Sequence, residues 1–517
     1  MSVYDKYEMV IWLEIHVKLN SPNKLFCQCR NEQDFEWVEP NTHICPVCSG
    51  QPGALPVMNE EPLKKAILLG LALNCEINSE SRFDRKSYFY PDLPMGYQIT
   101  QFEIPTNDRW RVKFWIKDYQ EQKEVGIQRA HIENDAWKTI HEWWKAYLDY
   151  NRAWTPLVEI VTDPDFRSAE EVVEFLKELQ RLVRYNNIWY ADMEKGQLRC
   201  DVNISVRPKW SDKFGTKVEM KNLNSFGAIK RAIEHEFKRQ VDLIESWWEV
   251  QQETRWWDDT KRTSYVMRSK EDAMDYRYFT EPDLPPLKVD NDFIEEIKSG
   301  IVESTYERIK RYKEKYGFSK EFINWLISNH RVNFWFEKLV EFGIDPKLAA
   351  KWINMYILRY LDDKGLKNIS QIKLDRQYKD LSEDDVKMLA GKEYVEYSIW
   401  ELSQLLPFDF EKFYKLLKLI QDRKIWEAQA KQVIIDMFNT GKDPEQIVEE
   451  KWLWMADEGE ILSIINQVLD ENPQAVEDIK NWQQKAVGFL IGQVMRKSGW
   501  KADPKFVKEK ILEIING

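Results

Sequence analysis

Leu198-Arg199-Cys200-Asp201-Val202-Asn203-Ile204-Ser205-Val206-Arg207 alternates without a break. Cys200, Val202, Ile204 and Val206 fall on one side, and Arg199, Asp201, Asn203, Ser205 and Arg207 on the other. Period two marks a half-buried strand, because successive side chains point to opposite faces. Three other segments repeat it. In 10–19, Leu13, Ile15, Val17 and Leu19 oppose Glu14, His16 and Lys18. In 217–221, Val218 and Met220 oppose Lys217, Glu219 and Lys221, and 127–135 puts Arg129, His131, Glu133 and Asp135 together. Short strands with long connections predict an antiparallel sheet with one polar face, in an α+β domain.

The polar sides carry Glu14, His16, Glu133, Asp201 and Glu219, interleaved with Arg129, Arg199, Lys217 and Lys221. Carboxylates gathered on one face repel unless a cation sits among them. Hard oxygen ligands suit Mg²⁺ working with a nucleotide's phosphates, and Arg and Lys alongside would hold phosphate oxygens. The alternative is a solvated face of exposed ion pairs, since alternation does not say which strands are neighbours. The sequence has no Gly-x-x-x-x-Gly-Lys-Ser/Thr loop, no dinucleotide fingerprint and no Gly-x-Ser-x-Gly elbow. Any use of ATP therefore falls to a sheet face, and hydrolase chemistry is disfavoured.

Cys27-Gln28-Cys29 and Cys45-Pro46-Val47-Cys48 form two close pairs. Four thiolates in two knuckles match a structural zinc site, although Cys-x-Cys is tighter than the usual arm, and four reduced thiols are the other reading. Cys75 and Cys200 read as core residues. Six cysteines in 517 residues give no disulfide scaffold, so a reducing, cytoplasmic setting is expected. No run approaches the roughly 18 apolar residues of a membrane span, and the start, Met1-Ser2-Val3-Tyr4-Asp5-Lys6, has no apolar leader.

A chain this long predicts several domains. The segment 1–290 holds all the cysteines and closes in Glu281-Pro282-Asp283-Leu284-Pro285-Pro286, too proline-rich for a helix or inner strand. Helical spacing follows in 291–407, and again in 408–517 beyond Leu406-Pro407-Phe408. The net charge is −12, yet 485–510 carries Lys485, Arg496, Lys497, Lys501, Lys505, Lys508 and Lys510 against Asp503 and Glu509. A local basic island is enough to meet RNA phosphates, and a solvated helix face fits it equally. One imbalance runs through the whole chain. Glycine is 19 residues where average usage gives roughly 36, while tryptophan is 23. Trp247-Trp248, Trp143-Trp144 and Trp500 sit where turns favour glycine, so many tryptophans are expected at glycine positions.

Several long motifs carry a family resemblance. They are Cys45-Pro46-Val47-Cys48 running into Gly53-Ala54-Leu55-Pro56-Val57, the stretch Asp84-Arg85-Lys86-Ser87-Tyr88-Phe89-Tyr90-Pro91-Asp92-Leu93-Pro94, the strand 198–207, Lys221-Asn222-Leu223-Asn224-Ser225-Phe226, and Asp275-Tyr276-Arg277-Tyr278-Phe279. In order and spacing the chain resembles, over essentially its whole length, the B subunit of the aspartyl/glutamyl-tRNA(Asn/Gln) amidotransferase. The resemblance implies a sheet of the glutamine synthetase/guanido kinase kind, followed by two all-α domains, the last of which holds tRNA. It implies that ATP and Mg²⁺ phosphorylate the side-chain carboxylate of mischarged Glu-tRNA(Gln) or Asp-tRNA(Asn). An amidase A subunit would then supply ammonia, and a small C subunit would bridge the two. It makes Glu14, His16, Glu133, Asp201 and Glu219 the expected Mg²⁺ ligands, with Lys221 beside them. Tyr88, Asn151, Arg199, Asn203 and Ser205 are candidates for substrate or phosphate, and Arg496 and Lys497 for tRNA. Trp12, Trp137 and Trp154 depart from the family pattern, which reads glycine there. A noncatalytic tRNA-binding scaffold in the same complex is the competing reading.

Overall fold

The computed structural model describes residues 2–31, 38–90, 93, 95–136, 138–269, 275–364, 402–454, 458–480, 484–499 and 501–516. Among these, one compact unit runs through His330 and a second begins at Arg331.

The first unit is built on nine strands: β1 (Tyr7–Lys18), β2 (Glu76–Ile77), β3 (Asn107–Ile116), β4 (Glu121–Asn134), β5 (Pro156–Thr162), β6 (Leu198–Pro208), β7 (Val218–Lys221), β8 (Glu253–Asp258) and β9 (Thr263–Ser269). They lie in the order β9-β8-β7-β6-β1-β5-β4-β3-β2, and every neighbouring pair is antiparallel except β7 with β8. The apolar alternates Ile11, Leu13, Ile15, Val17, Val202, Ile204, Val218 and Met220 form one buried core with Val158, Ile160 and Ile132. Helices α1 (Glu60–Ala72), α2 (Ala169–Tyr185) and α3 (Phe226–Glu245) contribute to that core through Leu69, Phe175, Leu179, Ile229 and Ile233. Serines start α2 and α3. Ser168 accepts from the Glu171 amide and Ser225 from the Ala228 amide, satisfying helix-end donors that otherwise lack partners. Helices on one side leave the other face of the sheet for polar groups.

This unit continues past the proline-rich stretch expected to close it. The Trp115 indole donates to the Tyr306 carbonyl at 3.1 Å and stacks on its ring, while the Tyr185 hydroxyl donates to the Ile327 carbonyl at 3.2 Å. In the second unit, Trp335 lies 5.5 Å from Phe410 and 5.7 Å from Phe413, ring to ring, so segments before and after Pro407 share a core. Helices Glu458–Glu471, Gln484–Lys497 and Pro504–Asn516 form another core around Ile465, Leu490, Val494 and Ile511.

The tryptophan excess has a backbone signature. Helix His330–Glu341 ends with Gly343 in the left-handed region (φ 85°), its amide on the Val340 carbonyl and the next amide, from Ile344, on that of Leu339. The end of α3 repeats this closure with Trp247 (φ 64°), whose amide donates to Ile244 while that of Trp248 donates to Leu243. Helix Pro444–Glu450 repeats it with Trp452 (φ 54°), amides from Trp452 and Leu453 reaching Glu449 and Val448. Glycine is the favoured residue at this position, because a side chain there clashes with backbone. Trp143 (φ 56°) begins the two-residue turn between strands Lys138–Glu142 and Lys145–Asp149, where a positive φ again favours glycine. Trp247 is 97% exposed, so no packing of the indole compensates. Trp154 (φ 63°) differs: it is buried against Phe26. Trp137, Trp482 and Trp500 lie outside the described residues. Trp247→Gly and Trp452→Gly should each raise the urea midpoint of the unit that carries them, by about 1 kcal/mol of stability. Unchanged or lower midpoints would count against glycine-type positions.

Candidate active site

Register decides what the polar alternates can do together. On β1, His16 lies opposite Glu159 of β5 and Arg199 of β6, while Glu14 lies opposite Asp201. Glu159 in turn faces His131 of β4, and Asn203 faces Glu219 of β7. Directly paired residues project to the same side, so Glu14, His16, His131, Glu133, Glu159, Arg199, Asp201, Asn203 and Glu219 share one face.

They gather in two groups. His16 Nε2 stands 3.1 Å from a Glu133 oxygen and 3.5 Å from a Glu159 oxygen, and His131 Nε2 is 3.4 Å from Glu159. One ligand atom each from His16, Glu133 and Glu159 lies within 4.8 Å of the others. The second group centres on Lys221, whose ammonium bonds to Asp201 and, at 3.1 Å, to Glu219. Thr254 donates to Glu219 at 2.7 Å, and the Asn203 amide donates to Glu14 at 3.0 Å. The five residues expected as ligands therefore do not form a single shell. Two positions along a strand are about 6.6 Å apart, which separates the Glu14–Asp201 row from the His16–Glu159 row.

Sequence reasoning missed three members. Glu159 is a lone carboxylate in the apolar run Pro156-Leu157-Val158-Glu159-Ile160-Val161, where no alternation singles it out. His131 stood among the polar alternates without a role. Lys86 sits in the strand Asp84–Ser87 of a separate three-stranded sheet. Burial disfavours the Lys86 ammonium, but Glu133 and Glu159 outweigh it and hold its pKa above the usual lysine value.

Electrostatics tie these groups together. Burial opposes the His16 imidazolium, yet hydrogen bonds to Glu133 and Glu159 push its pKa up to about 10. Glu159 is held well below the carboxylate range: His131 and His16 overcome the burial penalty. Glu14 is raised by burial and by the charges of Glu159, Glu219 and Asp201, with Lys217 opposing. Two carboxylates, one buried and one half-buried, converging on an imidazole make a donor set that fits a divalent ion such as Mg²⁺.

The remaining expected residues take up more varied places. Arg199 makes paired bonds of 3.3 and 2.9 Å to buried Asp135, with Arg152 at 3.3 Å on the same carboxylate. The Asn203 and Ser205 side chains are buried, and Asn203 Oδ1 and Ser205 Oγ have no hydrogen-bond partner among the described residues. Tyr88 donates to Gln98 at 3.3 Å and lines a cavity of about 640 Å³ with Tyr97, Arg277 and Phe279. Asn151 lies outside the face. It is fully buried, accepts from the His43 amide at 2.8 Å and donates to the Glu39 carbonyl at 2.8 Å, so it anchors the cysteine loop.

Asp135 gives a pH prediction. Burial raises its pKa, but Arg152, Arg199 and Lys18 win and hold it far below the usual aspartate value. A depressed folded pKa stabilises above the unfolded value near 4 and is lost only as pH falls towards the folded one. Asp135→Asn should therefore lower stability at pH 6 by about 3 kcal/mol. In urea titrations the gap between the two chains should shrink below pH 4; a constant gap would argue against the ionised pair.

Known proteins share this framework. The family model of the GatB/GatE catalytic domain matches residues 9–295, and that of the GatB domain matches 334–515. The B subunit of the aspartyl/glutamyl-tRNA(Asn/Gln) amidotransferase of Caldicellulosiruptor bescii is 43% identical, over 98% of this chain and 99% of its own length. Its counterpart from Crocosphaera subtropica is 39% identical over 100% and 99%. This chain belongs to the GatB family. The GatB catalytic match includes every residue of the polar face and the cysteine loop.

In that loop, Cys27, Cys29, Cys45 and Cys48 bring their sulfurs within 4.8 Å of one another, with Cys48 Sγ 3.9 Å from Cys45 Sγ and 4.0 Å from Cys29 Sγ. A tetrahedral ion with metal–sulfur bonds of about 2.3 Å needs sulfurs about 3.8 Å apart, which this set fits. Buried Lys24 places its ammonium 3.6 Å from Cys48 Sγ. A hydrogen bond from Cys27, with Lys24 assisting against burial, draws the Cys48 thiol down to about 5. In the GatB tail, Arg496 and Lys497 are exposed at the end of helix Gln484–Lys497, Lys497 being bonded to Glu471 at 2.6 Å. No helix among the described residues is long and apolar enough to cross a membrane.

Proposed function

We propose that this chain activates the side-chain carboxylate of Glu-tRNA(Gln), Asp-tRNA(Asn) or both by phosphorylation with ATP, and then amidates it. The observation that carries the reading is the convergence of His16, Glu133 and Glu159 beside the Lys221-centred carboxylates, on one sheet face of a chain aligned end to end with amidotransferase B subunits. A carboxylate acylates ammonia poorly because its leaving group is oxide. Transfer of a phosphoryl group to it makes an acyl phosphate, from which ammonia expels phosphate.

His16, Glu133 and Glu159 would hold Mg²⁺, which when bound neutralises phosphate charge. Lys86, which feels the charges of Glu133 and Glu159, and Arg199, which feels that of Glu133, would orient anionic oxygens. Glu14, Asp201, Glu219 and Lys221 form the adjoining wall. We assign zinc to the four cysteines as a structural ion, tRNA phosphates to Arg496 and Lys497, and a cytoplasmic setting to the whole. An amidase A subunit supplying ammonia and a small C subunit complete the assembly in this reading.

The test uses the assembled complex with Glu-tRNA(Gln), ATP and Mg²⁺, and adds hydroxylamine in place of glutamine. Trapping of a glutamyl hydroxamate, with one phosphate released per trapped group, is the expected result. Full amidation without tRNA-dependent ATP cleavage would rule the reading out.

A further inference from the structure

Lys24 is 0% exposed, an uncommon place for a lysine. An ammonium has three N–H donors, and each of those on Lys24 meets an acceptor: the His43 carbonyl at 2.8 Å, the Tyr150 carbonyl at 3.3 Å and Cys48 Sγ at 3.6 Å. The acceptors belong to different pieces of the chain. His43 lies in the cysteine loop, Cys48 is one of the four gathered sulfurs, and Tyr150 opens the short turn Tyr150–Arg152 that follows strand Lys145–Asp149. From that turn, contacts run on to the polar face. Arg152 lies 3.3 Å from the Asp135 carboxylate, which also carries the paired bonds of Arg199. A backbone route runs alongside: the Leu25 amide donates to the Trp154 carbonyl at 2.8 Å, and the Trp154 amide to the Asp135 carbonyl at 3.3 Å.

Four thiolates around a divalent ion leave an excess of negative charge, and a buried excess needs a partner of opposite sign. Groups just outside the ligands orient them and tune the ion they hold. We propose that Lys24 is a positioning residue: its ammonium offsets the tetrathiolate, and its bond to Tyr150 couples metal loading of the cysteines to the Arg152–Asp135–Arg199 cluster that ends on the polar face. The inference rests on the assignment of zinc to the four cysteines and adds a link from that ion to the candidate active site.

The experiment uses the full chain and its Lys24→Met and Lys24→Gln variants, each stripped of metal, with thermal midpoints to verify folding. Zinc affinity is measured by competition with a chromophoric chelator, and hydrogen exchange at 150–155 is followed without zinc and at saturating zinc, with α3 as the reference. Zinc affinity should fall by at least about tenfold in both variants, glutamine included, because it keeps hydrogen-bond donors and lacks the charge. Zinc should slow exchange at 150–155 relative to α3 in the unaltered chain, and should no longer do so in Lys24→Met. Unchanged zinc affinity in both variants, or zinc-dependent protection at 150–155 that persists in Lys24→Met, would overturn the inference and leave the zinc assignment standing. Should neither variant fold, the unaltered chain decides: slowing confined to 150–155 supports the coupling, and slowing that is absent or shared equally by α3 overturns it. A folded chain that binds no zinc would overturn the assignment and the inference together.

Discussion

A chain carrying Glu133→Gln loses tRNA-dependent phosphate release by at least about a hundredfold while tRNA affinity stays unchanged. Glutamine keeps the shape of the side chain and removes its charge. Glu133 is 1% exposed, and its oxygens face His16 at 3.1 Å and Thr100 at 3.3 Å, so bulk water cannot substitute for the lost anion. The donor set for a divalent ion falls from two carboxylates to one. Glu159→Gln should do the same, because Glu159 holds both His16 and His131. Phosphate release is measured with the assembled complex, and tRNA affinity by filter binding. Retention of more than half the activity in either variant would remove the His16–Glu133–Glu159 group from the mechanism. Loss of tRNA binding together with activity would instead favour a scaffold role.

Arg85→Ala destabilises the sheet unit by about 3–5 kcal/mol. The Arg85 guanidinium makes paired bonds of 2.7 and 2.8 Å to Glu281 and a third of 3.0 Å to Asp283, and lies 4.3 Å from the Tyr97 ring centroid. Glu281 is 1% exposed, so removing the arginine strands a buried charge, the most damaging way to break an ion pair. The partners bring together Asp84-Arg85 and Glu281-Pro282-Asp283, two motifs far apart in sequence. Arg85 also fixes the strand from which Lys86 approaches Glu133 and Glu159. Urea unfolding should show the loss, with hydrogen exchange accelerated in strand Asp84–Ser87. Arg85→Met combined with Glu281→Leu should recover much of it, since an apolar pair leaves no charge buried alone. Wild-type stability in Arg85→Ala would show the pair to be incidental.

Both outcomes bear on what could be read beforehand. Alternation identified the face bearing Glu14, His16, Glu133, Asp201 and Glu219, because in a strand the side of each residue follows from its parity. It could not give the grouping. Glu159 was hidden in an apolar run, and Lys86 arrives from another sheet. Asn151 looked like a site residue by its motif but anchors the cysteine loop, a role that depends on where Glu39 and His43 come to lie. The tryptophan at 247 was legible as a misfit from turn chemistry, whereas Trp452 emerged only from its backbone, and the closure around both matches that around Gly343.

What the sequence determined by itself was local: which side chains share a strand face, and which four thiols lie close enough in the chain to share an ion. These follow from covalent geometry and from contacts a few residues apart. Only the tertiary structure decided that Glu159 sits beside His16, that Asp201 pairs with Glu14, and that helices beyond 290 remain on the sheet unit. Register and strand order come from burying Ile11, Leu13, Val158, Val202 and their neighbours in one core, a balance among distant segments that no single stretch contains.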